Sequence, residues 1–254
     1  MLVRHEREWF ALQAGTPGVE VYRDPDITWK LSKGVAWLNA GVGLRFKPQT
    51  VELRLDEILA RYAKHGRGAS FWVDVDATPM DLEVHLKERR LRCRKYFAGM
   101  ACDLSRLPEA PAAAGITIER VTDYGIYARH PHPMWGRINT PIRKAAFESI
   151  KHLTSAHADR VMDFAALDGS RPVGACLLYL GRTVAGIHDV GVAETERGRG
   201  VGTAMIGHVL RFARERGQRY AVLISSEMGF GMYQRAGFRE VCRMGFWYKA
   251  PARC

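Results

Sequence analysis

Three glycines at alternate positions, Gly198, Gly200 and Gly202, lie in the stretch Asp189-Val-Gly-Val-Ala-Glu-Thr-Glu-Arg-Gly-Arg-Gly-Val-Gly-Thr203, the strongest chemical signal in the chain. A strand pattern leads into them and an amphipathic helix pattern leads out. Glycines at such a junction let main-chain amides approach a ligand with no Cβ in the way. The helix start adds unpaired N–H donors and the positive end of its dipole. Together these suit a phosphate or diphosphate, and Arg197 and Arg199 add positive charge. The two common nucleotide loops fit poorly. A P-loop needs Gly-Lys-Ser/Thr, and no such lysine follows these glycines. A dinucleotide fingerprint needs G-x-G-x-x-G and an acidic residue after the next strand; Thr203 replaces the last glycine, and Ser225 and Ser226 stand at the strand end.

Other reactive side chains gather near this junction. His188 lies on the strand before it, and an imidazole titrates near operating pH. Asp189 faces the opposite side of a regular strand, unless a bulge turns it. Glu194 and Glu227 flank the expected cleft. Tyr124, Tyr127, His130, His132 and Trp135 form an aromatic and histidine-rich segment able to bind an apolar or cationic amine. His-Pro-His has no familiar metal-ligand spacing, and the cysteines at 93, 102, 176, 242 and 254 form no C-x-x-C. No metal site and no disulfide framework is expected.

The elements that must position these groups are legible in the second half. Strands are expected at 116–121, 160–167, 173–180, 184–192 and 220–224, with one or two more in 238–248. Helices are expected at 142–153, from Gly200 to near Gly217, and at 228–236. In the helix after the glycines, Val201, Met205, Val209 and Phe212 share one face. Leu107-Pro-Glu-Ala-Pro-Ala-Ala-Ala-Gly115 has linker composition, giving domains at 1–107 and 116–254. The first half ends in helix 55–65, strand 71–75, helix 79–90 with Pro79 in its first turn, and strand 91–104. Helix, strand, helix, strand thus occurs twice, a weak internal repeat.

The 254 residues are 47% hydrophobic, enough for a buried core and against disorder. No apolar run approaches the ~18 residues of a membrane span. The N-terminus carries charges where a signal peptide is apolar, so a cytoplasmic location is expected, with no membrane partner. Net charge is +11, and residues 111–254 hold 20 of the basic and 12 of the acidic side chains. That field attracts anions, but no nucleic-acid recognition motif accompanies it, and no nucleic-acid partner is expected.

Arg197-Gly-Arg-Gly-Val-Gly202 matches R/Q-x-x-G-x-G/A, and Ser226-Glu-Met-Gly-Phe-Gly-Met-Tyr-Gln-Arg-Ala-Gly-Phe238 resembles a second signature, a short helix with a Tyr before a closing Gly-Phe. Both resemble the GNAT superfamily of N-acetyltransferases, over about residues 116–250. Ser226 stands where many members have Asn, and Gly229 where many have Ala. The resemblance implies an α/β (α+β) fold of two tandem GNAT-like domains, each a mixed, mainly antiparallel sheet flanked by helices. The first half has no glycine loop and resembles the degenerate N-terminal halves of tandem members. The implied activity is transfer of an acetyl group from acetyl-CoA, as cosubstrate, to a primary amine by direct attack in a ternary complex. The acceptor is a small-molecule or peptide amine, and the protein is a monomer or homodimer. In this family the fourth strand splays from the fifth, here at Ile187–Val192, with Val190 and Val192 holding the pantetheine arm. The amides from Arg197 through Gly198, Arg199, Gly200, Val201 and Gly202 to Thr203 would hold the diphosphate, with Ser226 at the same site. Tyr233 would protonate the leaving thiolate. His188 resembles the histidine placement of arylalkylamine members and is a candidate base, although attack by an already neutral amine stays open. A non-catalytic acyl-CoA-binding or regulatory module is the alternative.

Overall fold

The computed structural model describes residues 1–35, 39–109 and 111–251. The chain forms two units, Met1–Ala98 with Cys242–Cys254, and Gly99–Val241. The division falls at residue 98 because the segment after it is tied into the second unit. The Leu104 amide donates to Arg219 O at 2.9 Å, and Pro108 and Cys102 pack against Gly237. Leu107–Gly115 therefore lies within the second unit.

The first unit starts with helix α1 (Leu2–Leu12), then strands β1 (Val19–Arg23), β2 (Thr28–Ser32) and β3 (Ala40–Val42). Helix α2 (Val51–Lys64), strand β4 (Ala69–Val73) and helix α3 (Leu82–Glu88) follow, and then strand β5 (Arg92–Asp103) begins. Strand β11 (Arg239–Lys249) returns to this unit, and the order is β1-β2-β3-β4-β11. Neighbours are antiparallel except β3 and β4, which are parallel and joined by α2. Val51, Leu55, Ile58 and Tyr62 of α2 recur at helical spacing and are buried. They meet Trp29, Phe71 and Trp247 in one core. Helix α3 starts later than the sequence pattern indicates: Pro79 precedes it, and its carbonyl accepts from the Leu82 amide in a turn.

The second unit contains β6 (Ile116–Arg120), α4 (Ile126–Arg129), α5 (Pro141–Ala156), β7 (Val161–Asp168), β8 (Arg171–Leu180) and β9 (Val184–Val192). Helix α6 (Val201–Glu215), β10 (Tyr220–Ser225) and α7 (Glu227–Arg235) complete it. The order is β10-β9-β8-β7-β6, antiparallel except for β9 and β10. Thr140 caps α5 by accepting from the Arg143 amide, and Pro141 follows at the first helical position, where its missing N–H costs nothing. Helix α6 covers one face of β7–β9, with Phe164 edge-on to Phe212 at 5.2 Å. Strand alternation then turns Asp163, next to Phe164, to the face under α4 and α5. This is the fold class the sequence implies, a mixed and mainly antiparallel sheet flanked by helices. No helix among the described residues is long and apolar enough to cross a membrane.

Candidate active site

The parallel ladder between β9 and β10 ends at Gly186 opposite Val222, so Ile187–Val192 runs on without β10 beside it. Strand β9 is also bulged. Leu177 pairs with His188 and Ala175 with Gly191, so Asp189 and Val190 together stand opposite Cys176. Asp189 takes a positive φ of 49° there, and the extra residue re-aims the strand where the splay begins. The strict alternation that would set Asp189 opposite His188 therefore does not hold.

The chain leaves β9 through a short helical turn, Glu194–Glu196, and enters α6 through Gly198 and Gly200. These have φ of 82° and 79°, left-handed values that cost any residue with a Cβ about 1–2 kcal/mol. The first bond of α6 runs from the Ala204 amide to Gly200 O at 3.0 Å. The amides of Val201, Gly202 and Thr203 precede it and have no helical acceptor. A row of N–H donors at a positive helix end, with no Cβ at Gly198 or Gly200, is chemically a seat for a diphosphate.

A cleft of about 460 Å³ runs along this seat. Val190, Val192, Arg197, Gly198, Gly200, Val201, Gly202, Thr203, Ser226 and Tyr233 all line it. Arg199 and His188 do not, and neither do Asp189, Glu194, Glu227 or the aromatic residues from Tyr124 to Trp135. The Arg199 guanidinium turns to Glu196 and, at 3.0 Å, to Asp168, which leaves only its main chain at the loop. Glu196 also takes Arg171 at 2.9 Å, and the two guanidiniums hold its carboxylate below the usual range. His188 is on β9, outside the lining. The cleft also takes in residues the sequence reading passed over, among them Met134, Met232 and Arg235. Met134 has a sequence signal in hindsight: it follows Pro133, and a Cβ at Gly191 would come within 2.6 Å of its own Cβ. A glycine in mid-strand marks such a close approach.

At the other end of the cleft, Ser226 caps α7 by accepting from the Gly229 amide at 3.3 Å. Tyr233 is one turn on, edge-on to Phe238 at 5.8 Å. Gly229 makes room for its ring, since a Cβ there would lie 2.8 Å from the phenol's Cε2. Burial, with the nearby Cys176 as a smaller cause, raises the Tyr233 phenol above its ordinary value. It therefore keeps its proton at neutral pH.

The aromatic segment forms a cover over the α4–α5 face. Tyr127 lies 4.5 Å from His132, His132 stacks on Trp135 at 4.6 Å, and the Tyr124 hydroxyl donates to Thr154 Oγ1 at 2.9 Å. Burial pushes His132 down to about 4, so it is neutral. Its Nδ1 accepts from the Met134 amide.

Comparisons with known proteins bear on family and fold. The acetyltransferase (GNAT) family matches residues 128–238. An uncharacterized N-acetyltransferase of Methanocaldococcus jannaschii is 39% identical over 62 residues, a match spanning 23% of this chain and 27% of that protein. A GCN5-related N-acetyltransferase from Kribbella flavida superposes with a TM-score of 0.64 at 16% identity, covering 97% of this chain and 96% of that one. A tandem GNAT protein from the clavulanic acid biosynthesis pathway gives 0.66 at 15% identity, covering 98% and 88%. At such identities the two structures speak to the fold alone.

Proposed function

Because this chain belongs to the GNAT acetyltransferase family through its second half, we propose that it moves an acetyl group from acetyl-CoA to a primary amine by direct attack in a ternary complex. One observation carries the reading: the gap between β9 and β10 leads from the amide seat at Gly198–Thr203 to the Tyr233 phenol in one continuous cleft. The residues fit the cosubstrate. The amide seat suits its diphosphate, and the unpaired stretch of β9 at Val190 and Val192 suits a strand-like pantetheine arm. Acetyl-CoA would supply the activated thioester. Tyr233 donates its proton to the departing thiolate. The amine must shed a proton before or during attack, and we assign its receipt to His188, two residues before Val190. His188 is outside the cleft lining, so this transfer runs through water. The first half, lacking a glycine loop, is assigned a supporting role with no cosubstrate of its own.

Calorimetry with acetyl-CoA tests the binding step, and thiol release with an amine panel tests turnover. Saturable binding and Tyr233-dependent thiol release are expected. Failure to bind acetyl-CoA would end the proposal. Binding without turnover of any amine would leave an acyl-CoA-binding module.

A further inference from the structure

Asp163 is a carboxyl with no ion-pair partner among the described residues. It stands mid-strand in β7, 5% exposed, and no basic residue is among the groups that act on it. The sheet register puts it opposite Leu177, and Leu177 opposite His188, so all three share the face under α4 and α5. Tyr127 lies on α4, which packs against β8. That side chain is 3% exposed, and its buried hydroxyl has no hydrogen-bond partner among the described residues. Asp163 is close enough to raise the phenol electrostatically, after burial itself. A buried hydroxyl left without a partner in a native interior calls for an explanation, such as a bound group. Aromatic rings surround Tyr127: Tyr124 at 6.3 Å, Phe147 edge-on at 5.8 Å and neutral His132 at 4.5 Å, with Trp135 stacked on His132. Carboxylate, phenol oxygen and aromatic faces together recognise an ammonium ion.

This subsite is separate from the cleft. Cys176 acts on Tyr233, and Asp163 acts on Cys176, but Asp163 is not part of the cleft wall. Met134, seated on Gly191, stands at the cleft margin on the side of the aromatic cover. An amine held at Asp163 is therefore not the amine that attacks the thioester.

We propose that the acceptor is a diamine, whose non-reacting ammonium docks between Asp163 and Tyr127 while its other amine enters the cleft toward Tyr233. The proposal rests on the acetyl-transfer reading above and names its substrate class. To reach Asp163 the ligand must displace part of the His130–Gly136 cover. Burial and the nearby Asp189 keep the Asp163 proton in place up to about 8, and an arriving ammonium would replace it.

The test compares cadaverine, pentylamine and aminovalerate, matched in length, with acetyl-CoA saturating. Thiol release gives KM for each, and calorimetry on the CoA complex gives cadaverine affinity without turnover. Cadaverine should be favoured over pentylamine by at least about tenfold, the scale of one charge-assisted hydrogen bond, with aminovalerate the poorest. Asp163→Asn should erase the preference, and Tyr127→Phe should reduce it. Equal use of cadaverine and pentylamine by the wild-type protein overturns the proposal, whatever the variants do. If acetyl-CoA itself fails to bind, the acetyl-transfer reading has failed instead, so the two failures are distinguishable.

Discussion

Each unit contains one parallel strand–helix–strand crossover, β3–α2–β4 in the first and β9–α6–β10 in the second, and they treat the space beyond the ladder in opposite ways. In the second, pairing stops at Gly186 and Val222 and the strands part. In the first, Val42 still pairs with Trp72, and the chain beyond stays tied down. The Thr78 amide donates to Leu44 O, and the Phe46 amide to Thr78 O. Leu44 and Phe46 are fully buried, and Arg45 grips Asp74 with two bonds of 2.8 and 3.1 Å. Apolar side chains and an ion pair fill the first crossover where the second has a cleft. The loops differ accordingly: Gly198 and Gly200 precede α6, whereas Lys47-Pro-Gln-Thr50 precedes α2. The same topology becomes an open cleft or a piece of core depending on whether the strands stay paired.

The largest expected effect tests whether the open crossover alone carries the chemistry. Tyr233→Phe should lower kcat by about a hundredfold to ten-thousandfold, the range for a lost general acid, while acetyl-CoA affinity measured by calorimetry stays near wild type. Next, Gly200→Val strains the left-handed turn and blocks the amide seat. Acetyl-CoA affinity should fall roughly a hundredfold, equivalent to about 2.7 kcal/mol, with the thermal melt showing a folded protein. Asp74→Asn strikes the closed crossover instead. Its side chain is 1% exposed against Arg45, and its loss should cost about 2–3 kcal/mol in denaturant unfolding, leaving acetyl-CoA affinity unchanged. A change in that affinity would undo the contrast.

How much of this was readable beforehand follows from how local each cause is. The loop was legible because left-handed turns select glycine, and β9 matched its expected bounds, with β-branched Val184, Ile187, Val190 and Val192 spread along it. Of the two partners of the Arg199 side chain, Glu196 lies three residues back, whereas Asp168 comes from the β7–β8 hairpin and carries no local signal. The first unit was the harder half. Strand β3 has three residues, too few for a period, and Leu44 and Phe46, which fill a gap between elements, carry no period of their own. Asp163 carried a faint signal, an acid at a mid-strand position between Met162 and Phe164.

The buried carboxyls sharpen the contrast again. Glu6 in the first unit has Lys30 acting on it and is raised by burial to about 7; Asp163 in the second has Asp189 instead and is raised to about 8. Folded protein holds the Asp163 proton to about 8, while unfolded chain releases it near 3.8. The stability it contributes is full below 3.8 and is lost as pH rises toward 8. Asp163→Asn should therefore flatten the decline of melting temperature across that window and be at least as stable as wild type at its upper end. The smallest effect compares helix starts. Ser226→Ala removes a cap worth about 1 kcal/mol, whereas the Thr50 hydroxyl accepts from no α2 amide and only donates to Lys47 O at 3.4 Å on the surface, and Thr50→Ala should lower the melt less than Ser226→Ala does.

The last strand sets an order of assembly. Gly245–Lys249 pairs with β4, and Trp247 is part of the first unit's core, yet these residues leave the ribosome after all of Gly99–Val241. The unit that is translated first must wait for its final piece, while the second unit has its own residues in hand up to that point. An emerging chain would thus complete its second unit before its first, the reverse of the usual N-terminal-first sequence.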